Sequence, residues 1–213
     1  MAKTLRLAVL LSGGGRTLEN ILDHIAAGTL PAEVAVTIAS RPNIRGIEIS
    51  QAAGVPTHLV RPKDHPTVEA YSAELVRLLD EARIDLVVLA GFLSFWIIPE
   101  RYLGRVVNIH PALLPAFGGK GMYGHYVHEA VVARGCKVSG CTVHFVNNEY
   151  DEGPILLQRT VPVYAEDAPD DVAARVFREE CVAYPEGLRL IAEGRVRVDG
   201  RTVHIDDPKY RRS

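Results

Sequence analysis

LRLAVLLSGGG, residues 5–15, joins a short apolar run to three consecutive glycines. A continuous apolar run of this length is typical of a strand buried on both faces of a parallel sheet. Apolar residues at helical spacing follow at Leu18, Ile21, Leu22 and Ile25. Glycines between a strand and a helix let backbone N–H groups and the helix dipole face an anion. The stretch therefore predicts the start of an α/β fold with a phosphate-binding turn.

The alternation of strand and helix patterns continues through the first half of the chain. Further strands are predicted at Glu33–Ala39, Pro56–Val60, Asp85–Ala90 and Arg105–Ile109, and helices at Ile44–Ala53 and Val68–Ala82. Such alternation predicts a Rossmann-like, mostly parallel sheet flanked by helices.

The second half has a different pattern. Two β-rich stretches, Ser139–Asn147 and Pro154–Val163, are joined by turn-forming residues and predict an antiparallel pair that extends the same sheet. A long helix is predicted at Asp170–Glu193, with Pro185 bending it, and a hairpin at Arg195–Val203. Without a linker or repeat, residues 1–213 are predicted to form a single domain.

Composition narrows the class of protein. The 213 residues carry a formal charge of −2, so no basic field favours nucleic acid. No apolar run approaches the roughly 20 residues that span a bilayer, so we expect no membrane partner. Three cysteines without CxxC spacing favour reduced thiols in a cytoplasmic protein. Oligomeric state is left open between monomer and homodimer.

The glycine turn alone does not identify a ligand. A dinucleotide fingerprint would have a third glycine at Leu18, and the second strand ends in Ser40-Arg41 where an acidic ribose ligand is expected. From this motif alone, two alternatives stay open: a purely structural turn, or the nucleotide site of an NADP-binding reductase.

Asn108-Ile109-His110-Pro111 is the more specific signal. It lies at the carboxyl end of a predicted parallel strand, where ligands bind in open α/β sheets. Residues two apart in a strand share a face, so the Asn108 amide and the His110 imidazole are expected to point at one reacting atom. The amide can stabilise an oxyanion while the imidazole moves protons, which suits acyl transfer.

The run Asn108–Pro115, followed by His144-Phe145-Val146 and then Asp151-Glu152-Gly153-Pro154, resembles the folate-dependent formyltransferases. The likeness covers about residues 5–194 and is closest to members that act on a phosphorylated sugar amide. It implies formyl transfer from 10-formyltetrahydrofolate, a co-substrate, to the amine of glycinamide ribonucleotide in purine biosynthesis. Another folate formyl enzyme, such as a formyl-folate hydrolase, is the nearer alternative.

The resemblance also implies roles for residues. Asn108 would bind the formyl oxygen, His110 would donate the proton, and Asp151 would keep His110 charged, because an opposite charge favours imidazolium. Thr142 stands near the reacting centre. The phosphate and sugar-amide would contact Gly13, Gly14, Gly15, Arg16, Thr17 and Glu180. The folate would contact Leu93, Ser94, Phe95, Trp96, Asn108, Asn147, Asn148, Glu149, Tyr150 and Asp151. Residues 1–110 would form the phosphate-binding half and residues 111–213 the folate-site half.

Some positions depart from the family pattern. Ser94 and Val68 replace arginines often found there, and the segment 116–125 is longer and very rich in glycine. Its glycine content suggests a mobile lid, although a connection without a role is an alternative, and Lys120 could supply a cation. His125, His128 and Glu129 lack a third ligand at suitable spacing, so no metal is expected.

Overall fold

The computed structural model describes residues 4–210. The chain forms two compact units, divided between Val107 and Asn108. Within these residues, seven strands are hydrogen-bonded in one sheet, and two further strands form a second sheet. The Rossmann-like, mostly parallel architecture with an antiparallel carboxyl-terminal extension is thus confirmed. The division into halves at 1–110 and 111–213 stays a prediction.

The first unit is built from strands that alternate with helices. The strands are β1 (Leu5–Leu11), β2 (Ala32–Ala39), β3 (Thr57–Leu59) and β4 (Leu86–Leu89). The helices are α1 (Arg16–Ala26), α2 (Arg45–Ala52) and α3 (Val68–Glu81), with 3-10 turns at Pro62–Asp64 and Glu100–Tyr102.

Strand β1 lies at the centre of this unit. It pairs in parallel with β2 on one side and with β4 on the other. Because both faces of the strand are covered, the side chains from Leu7 to Leu11 have no exposed surface. The apolar run of the sequence thus reflects burial on both faces.

The second unit continues from strand β5 (Val106–His110), whose last three residues belong to it. Its further strands are β6 (Val138–Phe145), β7 (Ile155–Pro162), β8 (Val196–Asp199) and β9 (Thr202–Ile205). Its helices are α4 (His125–Ala133) and α5 (Pro169–Ala192), with a 3-10 turn at Pro208–Tyr210. Strands β6 and β7 pair antiparallel, with a register shift between Val143 and His144.

Several boundaries differ from the sequence-based predictions by one or two residues. Strand β5 runs one residue past the predicted end, so His110 is its last residue and Pro111 cannot continue the ladder. Pro185 lies inside helix α5 and is buried. Within residues 4–210, no helix is long and apolar enough to cross a bilayer.

Candidate active site

Four side chains of the second unit converge on the end of β5. The Asp151 carboxylate lies between two imidazoles, with Oδ2 3.7 Å from Nδ1 of His110 and Oδ1 3.7 Å from Nε2 of His144. Asn108 reaches the same group, because its Nδ2 lies 3.1 Å from Nε2 of His144. The structure therefore brings together the three residues that the sequence suggested for catalysis, and it adds His144.

His144 has a defined tautomer. Its Nδ1–H donates to the carbonyl of Phe145 across 2.9 Å, and burial lowers the pKa of the ring, so the neutral form is favoured. Nε2 then carries a lone pair and accepts a hydrogen bond from the Asn108 amide. This contact fixes the amide orientation and leaves its second N–H available for a carbonyl oxygen.

The sequence reasoning gave no role to His144. The available signal was its spacing from Thr142: both lie on β6, two residues apart, and therefore share a face of the strand. Strand β6 is the neighbour of β5, and the His144 ring on β6 reaches the Asn108 amide on β5.

The start of the glycine-rich segment contacts the catalytic group directly. Nε2–H of His110 donates to the Phe117 carbonyl across 2.8 Å, and the Gly119 N–H donates to Asp151 Oδ2 across 2.9 Å. A Cβ at Gly118 would lie 2.6 Å from Leu114 Cδ2 and 3.3 Å from Asp151 Cβ. Residues 117–119 thus have a structural role beside the site, whereas the lid motion stays a prediction.

Two residues at this point have left-handed backbones, Phe117 with φ 55° and Asp151 with φ 58°. A bulky side chain rarely adopts this region, and such residues concentrate at functional sites. In both, the conformation places a group against the imidazole of His110: the carbonyl of Phe117 and the carboxylate of Asp151.

The glycine turn of the first unit precedes the N-terminus of α1. Gly15 has φ 75°, and a Cβ there would lie 2.6 Å from Cα of Gly46. Gly13 and Gly14 have no atom within 4 Å of an added Cβ. The close approach to α2 explains Gly15, and the open surroundings of the other two leave room beside the helix N-terminus, where an anion is favoured. Arg16 is exposed and Thr17 half-buried.

The segment Leu93–Trp96 is held by two buried serines of the first unit. The Leu93 N–H donates to Oγ of Ser12 across 2.9 Å, and the Ile97 N–H donates to Oγ of Ser72 across 2.8 Å.

Leu93 and Phe95 are exposed, Ser94 is half-buried, and Trp96 is buried in the core. Trp96 therefore serves packing, and its neighbours present their surface to solvent.

The remaining suggested binding residues lie in the second unit. Glu180 is half-buried on α5. Asn147 accepts the Glu149 N–H on its own side-chain oxygen across 2.9 Å, which starts the turn toward Asp151. Asn148, Glu149 and Tyr150 are exposed.

The two histidines of α4 differ in their surroundings, because His125 is exposed and His128 is buried. His125 lies 3.4 Å from Glu129 and 3.5 Å from Asp170. Burial lowers the pKa of His128 to about 4. Across the described part of the chain, no three His, Cys, Asp or Glu side chains are grouped to hold a metal ion.

The site combines an amide, two imidazoles, one of them neutral, and a carboxylate at a strand end of an α/β fold. This combination is typical of enzymes that transfer acyl groups. Residues 5–188 match the formyl transferase family. The chain belongs to this family.

Named relatives agree with that assignment. The chain is 41% identical over 198 residues to the chloroplastic phosphoribosylglycinamide formyltransferase of Arabidopsis thaliana, covering 90% of this chain and 67% of the relative. It is 34% identical over 204 residues to phosphoribosylglycinamide formyltransferase of Escherichia coli, covering 95% and 94% of the two. It spans only 14–19% of the trifunctional purine biosynthetic proteins of animals.

A solved structure gives the same result. Glycinamide ribonucleotide transformylase 1 from Symbiobacterium toebii superposes with a TM-score of 0.88 at 41% identity, covering 96% of this chain and 95% of that one.

Proposed function

We propose that the chain transfers the formyl group of 10-formyltetrahydrofolate to the amine of glycinamide ribonucleotide, a step of purine biosynthesis. The observation that carries the proposal is the position of Asp151, whose two carboxylate oxygens face the imidazoles of His110 and His144. The names of the relatives support this donor and this acceptor.

The reaction begins with attack of the amine on the formyl carbon. A C–N bond to the amine forms, and the carbonyl oxygen becomes an oxyanion. The second N–H of Asn108 donates to this oxygen. Because Nε2–H of His110 is used by Phe117, the imidazolium donates to the oxyanion through Nδ1–H.

Proton transfer completes the reaction. The attacking amine loses a proton to the Asp151 carboxylate, which lies next to the imidazole. The bond between the formyl carbon and N10 of the folate then breaks, and N10 takes up a proton from the His110 imidazolium. Asp151 passes the proton that it received from the amine to Nδ1 of His110, which restores both groups. The net result is movement of the formyl group and one proton, with no redox change.

Substrate binding is assigned to two further groups of residues. The turn from Gly13 to Thr17, at the N-terminus of α1, holds the phosphate, and Glu180 contacts the sugar-amide. Leu93 to Phe95 and Asn147 to Asp151 contact the folate. No metal has a step in this reaction.

The test is an assay with purified protein, synthetic glycinamide ribonucleotide and a formyl-folate analogue, followed through the absorbance of the released folate. Turnover that requires both substrates is expected. Release of formate without the amine would instead identify a hydrolase, and tight NADP binding with no turnover would identify a nucleotide-binding protein.

Variants test the roles of the individual groups. Asn108→Ala and His110→Ala each remove one donor to the oxyanion, which costs about 10²–10³ in kcat. The exposed His204→Gln is the control and should keep wild-type turnover. Near-wild-type kcat in either active-site variant removes that residue from the mechanism.

A further inference from the structure

The segment that follows His110 is attached to the sheet by two side chains with no assigned role. Thr142 on β6 donates its hydroxyl proton to the Ala112 carbonyl across 2.6 Å and accepts the Leu114 N–H across 3.0 Å. Gln158 on β7 donates from Nε2 to the Leu114 carbonyl across 2.9 Å and to Oγ1 of Thr142 across 3.0 Å.

The hydroxyl of Thr142 and both N–H groups of Gln158 are fully used on the protein. A threonine hydroxyl has one proton and two lone pairs, and Thr142 uses all three on Ala112, Leu114 and Gln158. The Gln158 amide has two N–H groups, each with its own acceptor. Thr142 is fully buried and has no proton left for a substrate. The pair therefore acts on the backbone.

The backbone that it holds leads to the contact that orients His110. From Leu114 the chain turns through Ala116, whose N–H donates to the Leu113 carbonyl across 3.1 Å. The next residue, Phe117, places its carbonyl 2.8 Å from Nε2 of His110. His110 thus has its backbone at one end of the segment and its ring against the other end.

We propose that Gln158 is a positioning residue for His110, which acts through Thr142 and Leu114 to place the Phe117 carbonyl against the imidazole. This inference rests on the proposed function for its kinetic readout. Its structural readout, the environment of the His110 ring, is independent of that function.

Gln158→Glu is the sharpest test, because it keeps the size of the side chain and removes both donors. Because Gln158 is exposed, the new carboxylate can turn to solvent, and the Leu114 carbonyl and Thr142 lose their donor, so the segment should move. Displacement of a catalytic group by about 1 Å costs on the order of 10²-fold in rate. We therefore expect kcat to fall about 10- to 100-fold, with both KM values within about twofold.

Three further variants separate positioning from general stability. Gln158→Met removes the donors without adding a charge and serves if the glutamate variant fails to fold. Thr142→Ser keeps the hydroxyl and should keep the wild-type kcat, whereas Thr142→Val removes the hydroxyl and should lower kcat. In the double variant with Gln158→Met, Thr142→Val should lower kcat little further. Thr160→Ala, exposed on the same strand as Gln158, is the matched control.

The second readout is the ring nitrogen spectrum of ¹⁵N-histidine-labelled protein. Loss of the Phe117 contact should shift the His110 Nε2 resonance in Gln158→Met and leave it in place in Thr160→Ala. An unshifted resonance together with wild-type kcat in the folded Gln158 variants would overturn the proposal. If the wild type itself is inactive, the proposed function fails and the spectrum alone decides the inference.

Discussion

The Asn108 side-chain amide donates to Nε2 of His144 across 3.1 Å, and this lone pair is available only while the imidazole is neutral. The strand that carries Asn108 is the neighbour of the strand that carries His144, so the contact joins two adjacent strands of the sheet. Burial of His144 lowers its pKa and keeps this acceptor in place. The orientation of the amide thus depends on the protonation state of its neighbour.

His144→Phe should therefore lower kcat while the protein stays folded. Phenylalanine fills the buried position but accepts no hydrogen bond, so the amide loses its fixed orientation. A lost hydrogen bond of about 1.4 kcal/mol corresponds to a tenfold loss of kcat. Steady-state kinetics with the formyl-folate analogue measures it, with His204→Gln as control. An unchanged kcat would show that Asn108 is oriented by other contacts.

Asp151 offers a test in which chemistry and backbone conformation are separated. Asn and Asp both tolerate the left-handed region, so Asp151→Asn should keep stability and lose about 10²–10³ in kcat, because an amide takes up no proton. Asp151→Ala should lose the same activity and about 1–2 kcal/mol of stability, since alanine is strained at φ 58° and the Gly119 N–H loses its acceptor. Urea unfolding of both variants compares the two; equal stabilities would contradict the backbone part of the argument.

The sequence predicted the fold well because its signals are local. The apolar run of β1, the glycine turn and the period of α1 each lie within a short stretch, and the structure follows them. The meeting of Asn108 and His110 at a strand end was also predictable from the two-residue period of a strand.

Other features of the site depend on contacts between distant residues. The bond from His144 to Asn108 joins residues 36 apart, and the pairing of Gln158 with Leu114 joins residues 44 apart. The Phe117 carbonyl is a backbone group, whose position no side-chain pattern encodes. Likewise, the burial of Trp96 follows from tertiary packing.

The glycine turn permits a comparison of two substitutions one residue apart. Gly15→Ala should destabilise the protein by about 2 kcal/mol or more, because its φ is 75° and the new Cβ would lie 2.6 Å from the Gly46 backbone. Gly14→Ala should change stability by less than about 0.5 kcal/mol, since no atom lies within 4 Å of its Cβ. Under the proposed function, Gly14→Ala should nevertheless raise KM for glycinamide ribonucleotide, because the methyl group hinders approach of the phosphate. Thermal unfolding and KM measured on both variants separate the structural from the binding role, and a stable Gly15→Ala would refute the close-approach argument.

His128 should make folding sensitive to mild acid. Burial, reinforced by the charges of His125 and His110, lowers its pKa from 6.5 to about 4, and within the described residues Nδ1 has no hydrogen-bond partner. Between these two values the unfolded chain binds a proton that the folded chain does not, so stability falls as the pH drops from 6.5 to 4. The full difference corresponds to about 3 kcal/mol, because one pKa unit is worth about 1.4 kcal/mol.

Protonation of carboxylates that are paired in the folded state also lowers the stability of the protein as the pH drops. The contribution of His128 must therefore be isolated by comparison with a variant. His128→Phe keeps an aromatic ring at this buried position and removes the titration. Urea unfolding at pH 7 and pH 4.5 should show a smaller loss of stability in this variant than in the wild type, whereas the exposed His204→Gln should match the wild type at both values. Equal losses in all three proteins would mean that His128 is protonated as readily in the folded chain as in the unfolded one.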